Sequence, residues 1–465
     1  MTARVRFEPS PSGDLHLGNV RTALFNWLYA RHEGATFILR ISDTDPEKAK
    51  PELISTIYEA LRWIGIDWDE GPEVGGPHEP YLQSFRHDRY RAAIDRLEAE
   101  GKVYRCTCTR DEIVARGTPT GYDRHCRTHP PIEGRPHALR FAVPEGRDVV
   151  VRDLIRGDVV TPFGEMQDFV VARSDGSATF PLANVVDDIE MQITLILRGA
   201  DLLNVAAANV LLFEAFGAVA PVYAHLPLIL APDRKRLGAR HGATGILAYR
   251  EEGFLPEAMM NYLALLGWSS ESGDELMDAD RLVREFSLDR VLHSPAVFDR
   301  DKLVWMNKHY IQQLTPDEFE RRVLELRPET PRDALRKAVE LDLLQTRVNT
   351  LADVPAAIGY LADRPEIDEK AAEKWLGTEE ANKTLEAVAE ALESLEPWTA
   401  DAVRDAVQAA IEALGLHRRK GPKPIFVAIS GSEVALPIFQ SIWIIGREEA
   451  VARLRDAIVD STPTI

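Results

Sequence analysis

A short strand that leads directly into a long helix at the amino terminus limits the possible folds more than any other feature. Apolar residues at Val5 and Phe7 alternate with polar ones, which is typical of a strand. Beyond a turn rich in proline and glycine, apolar residues at three- and four-residue spacing predict a helix with one buried face: Val20, Ala23, Leu24, Trp27 and Leu28. A continuous apolar run at 36–41 predicts a second strand. Together they form a β-α-β unit, from which parallel sheets are built.

The turn between the first strand and the helix has the composition of a phosphate-binding site. The first N–H groups of a helix have no partner inside it and carry the positive end of its dipole. Gly13 and Gly18 let a ligand approach the backbone, and His16 and Asn19 can reach phosphate oxygens. The turn therefore predicts a site for nucleotide phosphates.

Two carboxylates follow the second predicted strand. Asp43 and Asp45 come directly after the run at 36–41, and parallel sheets bind ligands beyond the carboxyl ends of their strands. The alternative is that both residues cap the helix predicted at 52–63.

Composition narrows the class of protein. A chain of 465 residues is long for one core and should form about two to four domains. Its net charge of −19 argues against a surface that binds nucleic acid everywhere, although it permits a local basic track. No run approaches the roughly 18 apolar residues of a membrane span, and no apolar signal segment precedes Arg4. Three cysteines do not make a disulfide framework, so we expect a cytoplasmic protein.

All three cysteines lie in one polar segment, 104–150, which has little periodicity and is predicted to be an insertion. Cys106, Cys108 and Cys126 are accompanied by further possible donors: Tyr122, His125 and His129. Zinc takes four such donors and can hold together a segment that lacks its own core. The alternative is that the cysteines are small buried apolar residues.

A second half of the sheet is predicted downstream. The segments 165–171, 180–186 and 194–197 are predicted strands, and 204–216 is a predicted helix. A basic loop with two glycines follows at 233–242. It is either a solvated charged loop or a mobile cationic flap over phosphates.

The rest of the chain is predicted to be mostly helical. Pro256 stands at a helix start, and Thr315 with Pro316 has the pattern of an N-cap and first helical residue. Farther on, one helix face is apolar at Leu385, Val388 and Leu392.

These segments, taken in order, resemble the glutamyl-tRNA synthetases, a family of class I enzymes. The resemblance rests on the opening strand and turn, on Asp43-Thr-Asp45 and on Leu182-Ala-Asn-Val-Val-Asp-Asp188. Three longer motifs also match, at 21–32, 251–258 and 261–268. It implies an α/β catalytic domain with a doubly wound, Rossmann-type parallel sheet and an inserted α/β acceptor-binding domain, followed by an all-α anticodon-binding half. The implied segments are, in order, the first half of the catalytic domain (1–75), the acceptor-arm insert with a zinc site (76–178), the second catalytic half (179–220), a stem-contact domain (221–312) and two helical anticodon-binding subdomains (313–370 and 371–465).

The resemblance implies ATP-dependent ligation of L-glutamate to tRNA(Glu) through a glutamyl-adenylate, by a standard or a specialised second-copy enzyme. ATP with Mg²⁺ would be the nucleotide substrate, Zn²⁺ a structural metal, and the enzyme a cytoplasmic monomer without membrane contact. Two alternatives are a degenerate relative that binds tRNA or nucleotide without efficient catalysis, and an enzyme that adenylates a different acid or serves a different acceptor.

The resemblance also assigns site residues. Those implied in catalysis are His16, Asn19, Lys235, Arg236 and Arg240. Those implied in ATP binding are Pro9, Ser10, Gly13, His16, Gly18, Asn19 and Asp201. Those implied in glutamate binding are Arg6, Glu8, Ser10, Ser42, Phe180, Asn184 and Arg198, and two guanidinium groups suit a substrate with two carboxylates. The implied zinc ligands are Cys106, Cys108, Tyr122 and Cys126. Because tyrosine is an unusual zinc ligand, His125 and His129 stay open as the fourth donor in place of Tyr122.

The chain departs from the family pattern at two places. The family's Lys-Leu-Ser-Lys-Arg motif is replaced by Arg236-Leu-Gly-Ala-Arg240, so Ala239 stands where a lysine contacts ATP. In the amino-acid pocket, Ser42 replaces an acidic residue, Glu8 replaces a small one, and Phe180 replaces a tyrosine. We hypothesise that the carboxylate has moved between neighbouring strands, and that Lys235, Arg236 or Arg240 supplies the missing charge.

For tRNA binding, a basic cluster at 417–420 with Lys423 is one candidate, and Arg347 is another. The alternative for the cluster is a solvated helix end.

Overall fold

The computed structural model describes residues 2–44, 50–116, 121–237, 245–416 and 421–459. Two compact units are present, one made of Met1–Tyr249 with Pro256–Arg300 and the other of Arg250–Leu255 with Asp301–Ile465. The finer division into six segments stays a prediction.

Strands and short helices alternate through the first unit. Their bounds are β1 Arg4–Phe7, α1 Leu17–Glu33, β2 Thr36–Leu39, α2 Pro51–Trp63, α3 His87–Ala99, β3 Val103–Cys106, α4 Arg110–Ala115, α5 His125–Thr128, β4 Ala138–Phe141, β5 Val149–Val151, β6 Val159–Thr161, β7 Val170–Ala172, α6 Phe180–Glu190, β8 Leu195–Gly199, α7 Ala206–Ala215, β9 Val222–Leu226, β10 Ile229–Leu230, α8 Ile246–Glu251, α9 Pro256–Leu265, α10 Ala279–Glu285 and β11 Ala296–Val297.

The central sheet is parallel, as the sequence predicts. β1 pairs with β2, with Val5 opposite Phe37, and β8 pairs with β9, with Arg198 opposite His225. The two pairs are joined because the Thr194 N–H donates to the Arg4 carbonyl oxygen over 3.0 Å. The strand order is therefore β2, β1, β8, β9, and the carboxyl ends of all of these strands lie at one edge.

The predicted strand at 180–186 is wrong, because this segment is the first part of α6. Thr179 is extended and Pro181 occupies the first turn, where proline favours a helix start. The apolar run misleads because α6 is buried on most sides, and a short apolar run does not distinguish a buried helix from a buried strand. The predicted strand at 165–171 is reduced to β7, which begins at Val170.

The insert between α2 and α6 has its own sheet. β3, β4 and β7 form an antiparallel sheet, and β5 with β6 forms a hairpin. Its apolar residues do not make a separate core, because Phe141 and Val171 share one buried cluster with Leu182 and Leu212 of α6 and α7. Asp168 is a buried residue of the insert and accepts hydrogen bonds from Tyr104, Arg127 and the Val143 N–H.

The described part of the second unit is helical. Its helices are α11 Arg300–Gln313, α12 Pro316–Leu326, α13 Arg332–Glu340, α14 Val354–Ala362, α15 Glu369–Trp375, α16 Glu379–Glu393, α17 Ala400–Ala413, α18 Lys423–Ser430, α19 Ile438–Ile445 and α20 Arg447–Asp456. The Thr315 side chain accepts from the Glu318 N–H, which confirms the predicted N-cap. The predicted apolar face is confirmed by the burial of Leu385, Val388 and Leu392 on α16.

Among the described helices, none is both long enough and apolar enough to cross a bilayer.

Candidate active site

A cavity of about 380 Å³ opens at the carboxyl edge of the central sheet. Many predicted site residues line it: Arg6, Glu8, His16, Gly18, Asn19, Phe180, Asn184, Arg198, Asp201 and Arg236. Others predicted for the same site are not part of this lining: Pro9, Ser10, Gly13, Ser42 and Lys235. Arg240 and Asp45 lie outside the described residues.

His16 caps the helix that the sequence predicts. Its Nδ1 accepts from the N–H groups of Gly18 over 3.1 Å and Asn19 over 3.3 Å, so these donors are not unpaired as the sequence suggested. A Cβ at position 18 would lie 3.1 Å from the His16 ring, which explains the glycine there. Since Nδ1 accepts, the neutral ring carries its proton on Nε2. Burial and the nearby charge of Arg236 lower the pKa of His16, which favours this neutral form.

The mouth of the cavity carries an ion pair. Arg236 Nη2 lies 3.0 Å from Asp201 Oδ2, and both side chains are largely exposed. Lys235 lies beside Asp233 at 3.9 Å and is also exposed. The described part of the basic loop thus has one cation, Arg236, on the cavity wall.

Behind the lining residues Arg6 and Glu8 lies a network of buried charges, which we call the floor. Arg40 has no exposed side-chain surface, and its Nη2 lies 2.8 Å from Glu8 Oε2 and 2.9 Å from Asp188 Oδ1. Arg6 donates to the same Asp188 through Nε over 3.1 Å. Burial opposes ionisation, yet Arg6 and Arg40 lower the pKa of Asp188 below its ordinary value. Burial raises the pKa of Glu8 although both guanidinium groups oppose the shift.

Arg6 is therefore more engaged with the protein than the sequence suggested. Besides Asp188, its Nη2 approaches Glu8 Oε2 at 3.4 Å. Within the described residues its Nη1 makes no hydrogen bond, so this nitrogen is the one left for a ligand.

Arg198 also lines the cavity, and its guanidinium lies over the Tyr223 ring at 5.2 Å. Its Nε donates to His225 Nε2 over 3.0 Å, and its Nη2 donates to the Leu202 carbonyl oxygen over 3.1 Å. Burial lowers the pKa of Arg198. The buried Nη1 has no partner among the described residues, so a ligand oxygen there would satisfy a donor that is costly to leave unpaired.

Gln83 connects Glu8 with Ser42, the two positions between which we hypothesise that the carboxylate of the pocket has moved. Its Oε1 accepts from Ser42 Oγ over 2.9 Å, and its Nε2 donates to Glu8 Oε1 over 3.1 Å. The Arg40 N–H donates to the Phe7 carbonyl oxygen and the Ser42 N–H to the Pro9 carbonyl oxygen, which continues the pairing of β1 with β2. Glu8 and Ser42 therefore lie on adjacent chain segments, and the movement of the carboxylate between them stays a hypothesis.

Two further placements refine the sequence interpretation. Asp43 does not cap α2, since its carboxylate accepts from the Ser84 N–H and hydroxyl, and the N-cap of α2 is Lys50. Asn184 lines the cavity, but its Oδ1 already accepts from Arg40 over 3.2 Å.

The sequence interpretation missed Arg40, Gln83, His225 and Asp188 as parts of the site. Arg40 stood in an otherwise apolar run, and a charged residue there needs buried partners. The sequence therefore did contain a signal that Arg40 has buried partners. Gln83 and His225 contact residues that are far away along the chain, and no local sequence pattern indicates such contacts.

Comparison with known proteins agrees with this geometry. Residues 2–305 match the family described as tRNA synthetases class I (E and Q), catalytic domain, and residues 304–458 match an anticodon binding domain. A glutamate–tRNA ligase from Symbiobacterium thermophilum is 40% identical, covering 98% of this chain and 99% of the relative. One from Moorella thermoacetica is 40% identical, covering 97% of each chain.

The chain belongs to the class I tRNA synthetases of the E and Q group. A crystal structure of a glutamate tRNA ligase from Elizabethkingia meningosepticum, in complex with its amino acid, superposes with a TM-score of 0.87 at 33% identity. That match covers 98% of this chain and 99% of the other.

In this synthetase the cysteines of the insert lie together. The Sγ atoms of Cys106, Cys108 and Cys126 lie within 4.8 Å of one another, and Cys108 and Cys126 approach to 3.3 Å. The Tyr122 hydroxyl lies 3.4 Å from Cys106 Sγ. Among the described residues, the group of possible ligand atoms contains these three sulfurs and neither nearby imidazole. His125 and His129 instead stack on each other at 3.9 Å.

Proposed function

We propose that this synthetase is a glutamate–tRNA ligase in which Arg6 and Arg198 receive the two carboxylates of L-glutamate. The observation that supports this is the pair of guanidinium groups on the cavity wall, each with an Nη1 that no described residue engages. The names of the relatives point to the same substrate. Two fixed cations suit a dicarboxylate better than glutamine, which carries a single carboxylate.

Glu8 supplies the anion for the substrate's α-ammonium group in this proposal. The Glu8 carboxylate borders the cavity. Ser42 does not line the cavity and is linked to Glu8 through Gln83. The Gln83 amide suits this arrangement because its acceptor end meets the Ser42 hydroxyl and its donor end meets Glu8. Asn184 and Phe180 complete the wall, with an apolar ring at position 180.

ATP lies toward the helix end of the cavity, where His16 can donate from Nε2 and Arg236 carries positive charge. A carboxylate oxygen of glutamate attacks the α-phosphorus, a new P–O bond forms, and the bond to pyrophosphate breaks. His16, Asn19 and Arg236 act by orienting phosphates and stabilising negative charge. Asp201 holds Arg236 and is the acidic group beside the nucleotide. Mg²⁺ bound with ATP would neutralise the leaving pyrophosphate.

The acyl group then passes to the terminal adenosine of tRNA(Glu), and AMP leaves. We assign the acceptor end to the insert and the anticodon to the helical unit, which is supported by the anticodon-domain match. Arg347 is exposed on the helical unit and remains a candidate contact. The cluster at 417–420 lies outside the described residues, and Lys423 donates to the Glu433 carbonyl oxygen, which makes it a weaker candidate. Monomeric state and cytoplasmic location remain expectations.

A structural Zn²⁺ fits the cysteine cluster of the insert. Three thiolates and the Tyr122 hydroxyl would hold it, and the metal would crosslink β3 to α5. Metal analysis of the purified protein should find about one zinc per chain, falling to about zero in Cys126→Ser. An unchanged zinc content in that variant would remove the assignment.

Pyrophosphate exchange tests the proposed reaction. With ATP, L-glutamate and tRNA(Glu), the chain should exchange labelled pyrophosphate into ATP, and omission of glutamate should abolish the signal. Exchange with a different acid in place of glutamate would contradict the substrate assignment. Tight binding of ATP or tRNA without exchange under any combination would contradict the ligase assignment itself.

A further inference from the structure

Three buried side chains form a continuous path from the insert to the wall of the cavity. Asp153 Oδ2 lies 2.5 Å from His225 Nδ1, and His225 Nε2 accepts from Arg198 Nε over 3.0 Å. All three side chains are enclosed by protein. Of the three, Arg198 lines the cavity.

Asp153 belongs to the insert, just after β5. Asp153 forms a parallel β-bridge with Tyr223 of β9: the Leu154 N–H donates to the Tyr223 carbonyl oxygen over 2.8 Å, and the Tyr223 N–H donates to the Arg152 carbonyl oxygen over 2.9 Å. The insert thus extends the central sheet at the strand that carries His225.

The carboxylate of Asp153 is fully used. Its Oδ1 accepts from the N–H groups of Ile155 and Arg156, and its Oδ2 accepts from the backbone N–H of His225 as well as from the ring. An ionised carboxylate can only accept, so the neutral ring must place its proton on Nδ1. The lone pair on Nε2 then faces the Arg198 Nε–H, which is the arrangement observed.

This arrangement orients the Arg198 guanidinium. His225 holds Nε, the Leu202 carbonyl oxygen holds Nη2, and the Tyr223 ring supports one face. What remains is Nη1, which is buried and has no partner in the described part of the chain. A rotation of the guanidinium would break the two bonds that fix it, so the direction of Nη1 depends on His225.

We propose that His225 and Asp153 are positioning residues for Arg198, so that the insert helps to set the guanidinium that receives a carboxylate of the amino-acid substrate. The inference rests on the proposed function, because Arg198 is assigned to glutamate there. It adds that a residue of the acceptor-arm insert, which touches neither substrate, governs affinity for the amino acid.

Substitutions of His225 separate positioning from structural support. His225→Leu removes the acceptor, whereas His225→Gln can place its amide oxygen near the position of Nε2. In pyrophosphate exchange, His225→Leu should raise the KM for glutamate by about tenfold to a hundredfold and leave the KM for ATP within about twofold, as expected for loss of one hydrogen bond to a charged group. His225→Gln should recover most of the affinity.

A double-mutant cycle decides whether the effect passes through Arg198. In an Arg198→Ala background, His225→Leu should add less than about twofold to the KM for glutamate, since there is no guanidinium left to orient. An equal factor in both backgrounds would overturn the proposal.

Asp168 provides the matched control, because it is also a buried aspartate of the insert but belongs to a different network. Asp153→Ala should raise the KM for glutamate, whereas Asp168→Ala should alter stability without this selective change. Equal selective effects would mean that any loosening of the insert suffices, and the proposal would fail.

The imidazole itself gives a test that needs no activity. In the full chain with ¹⁵N-labelled histidine, His225 should be neutral with its proton on Nδ1, and His225→Gln assigns the signal. A proton on Nε2 would overturn the proposal. An enzyme with the expected tautomer but no glutamate-dependent exchange would contradict the proposed function and leave the geometry of the path supported.

Discussion

The two ends of the cavity are constructed differently. At the amino-acid end, Arg40 and Asp188 are buried and each contacts several charged partners from different elements. At the nucleotide end, Arg236 and Asp201 form one ion pair with side chains that are 62% and 39% exposed. The first arrangement is enclosed by protein, and the second is accessible to solvent.

This difference affects how each end tolerates substitution. A buried charge without a partner is costly, so a change on the floor demands a second change nearby. Glu8 and Ser42 are such a pair of changes, since both depart from the family pattern and Gln83 joins their side chains. At the solvated mouth, a lost cation leaves no buried group unpaired, and a neighbouring cation can move into its place. The comparison therefore predicts paired substitutions on the floor and independent ones at the mouth.

The largest expected effect is on the floor, in Arg40→Met. Removal of this guanidinium leaves Glu8, Asp187 and Asp188 buried together with one fewer cation. We expect a loss of about 3–5 kcal/mol in the free energy of unfolding, measured by urea denaturation. The matched control is Arg62→Met, which removes an exposed pair with Glu73 and should cost about 0–1 kcal/mol. Similar losses in both variants would contradict the distinction between buried and exposed ion pairs on which the comparison of floor and mouth rests.

For the nucleotide end, the strongest prediction concerns Ala239→Lys. Position 239 lies outside the described residues, and in the family pattern a lysine there contacts ATP. If no other cation compensates, restoring the charge should raise kcat for pyrophosphate exchange by about a hundredfold to a thousandfold. The unfolding free energy, measured in parallel, separates an effect on the reaction from an effect on stability. A change in kcat of less than about twofold would show that Lys235, Arg236 or Arg240 already supplies the charge.

A smaller effect is expected from exchanging the residues at positions 8 and 42. Glu8→Ser should raise the KM for glutamate by about tenfold to a hundredfold, since it removes the anion assigned to the α-ammonium group. Ser42→Glu in the same chain should recover part of this loss, because the Gln83 amide can turn its donor end toward the new carboxylate. Ser42→Glu alone serves as the control and should impair binding by placing two carboxylates beside one amide. No recovery in the double variant would show that the two positions are not equivalent.

The nucleotide end was more predictable from sequence than the amino-acid end, for a physical reason. His16, Gly18 and Asn19 form their contacts within four residues, so spacing and residue type sufficed to place the turn. Even there, the sequence did not reveal that the His16 ring occupies the two backbone donors.

The floor depends on contacts between distant parts of the chain. Arg40 meets Asp188 across 148 positions, and Gln83 meets Asp187 across 104. Periodicity cannot indicate such pairs, and the segment that carries Asp187 and Asp188 was itself predicted to begin as a strand. Its burial on most sides of α6 removed the polar face that identifies a helix. The parallel sheet and the carboxyl-edge location were still correct, because they follow from the order of elements.

The smallest prediction adds a polar group to the cavity wall at the amino-acid end instead of removing one from the floor. Phe180 lines the cavity at the first residue of α6, and Phe180→Tyr would place a hydroxyl on that wall. We expect the KM for glutamate to fall by about twofold to tenfold, which corresponds to one added hydrogen bond of about 0.5–1.5 kcal/mol. Titration calorimetry with glutamate measures the same change without the chemical step.

Phe180→Leu is the control that separates the effect of the hydroxyl from that of the ring. Leucine is apolar like phenylalanine but has neither a ring nor a hydroxyl. If the floor is as rigid as its buried charges suggest, Phe180→Tyr should improve affinity only when the new hydroxyl meets a ligand oxygen, and the free enzyme should not gain stability. An equal gain in unfolding free energy without glutamate would mean that the hydroxyl bonds to the protein instead. In that case the side chains around position 180 rearrange to bind the new hydroxyl. The amino-acid end would then be less rigid than its network of buried charges suggests.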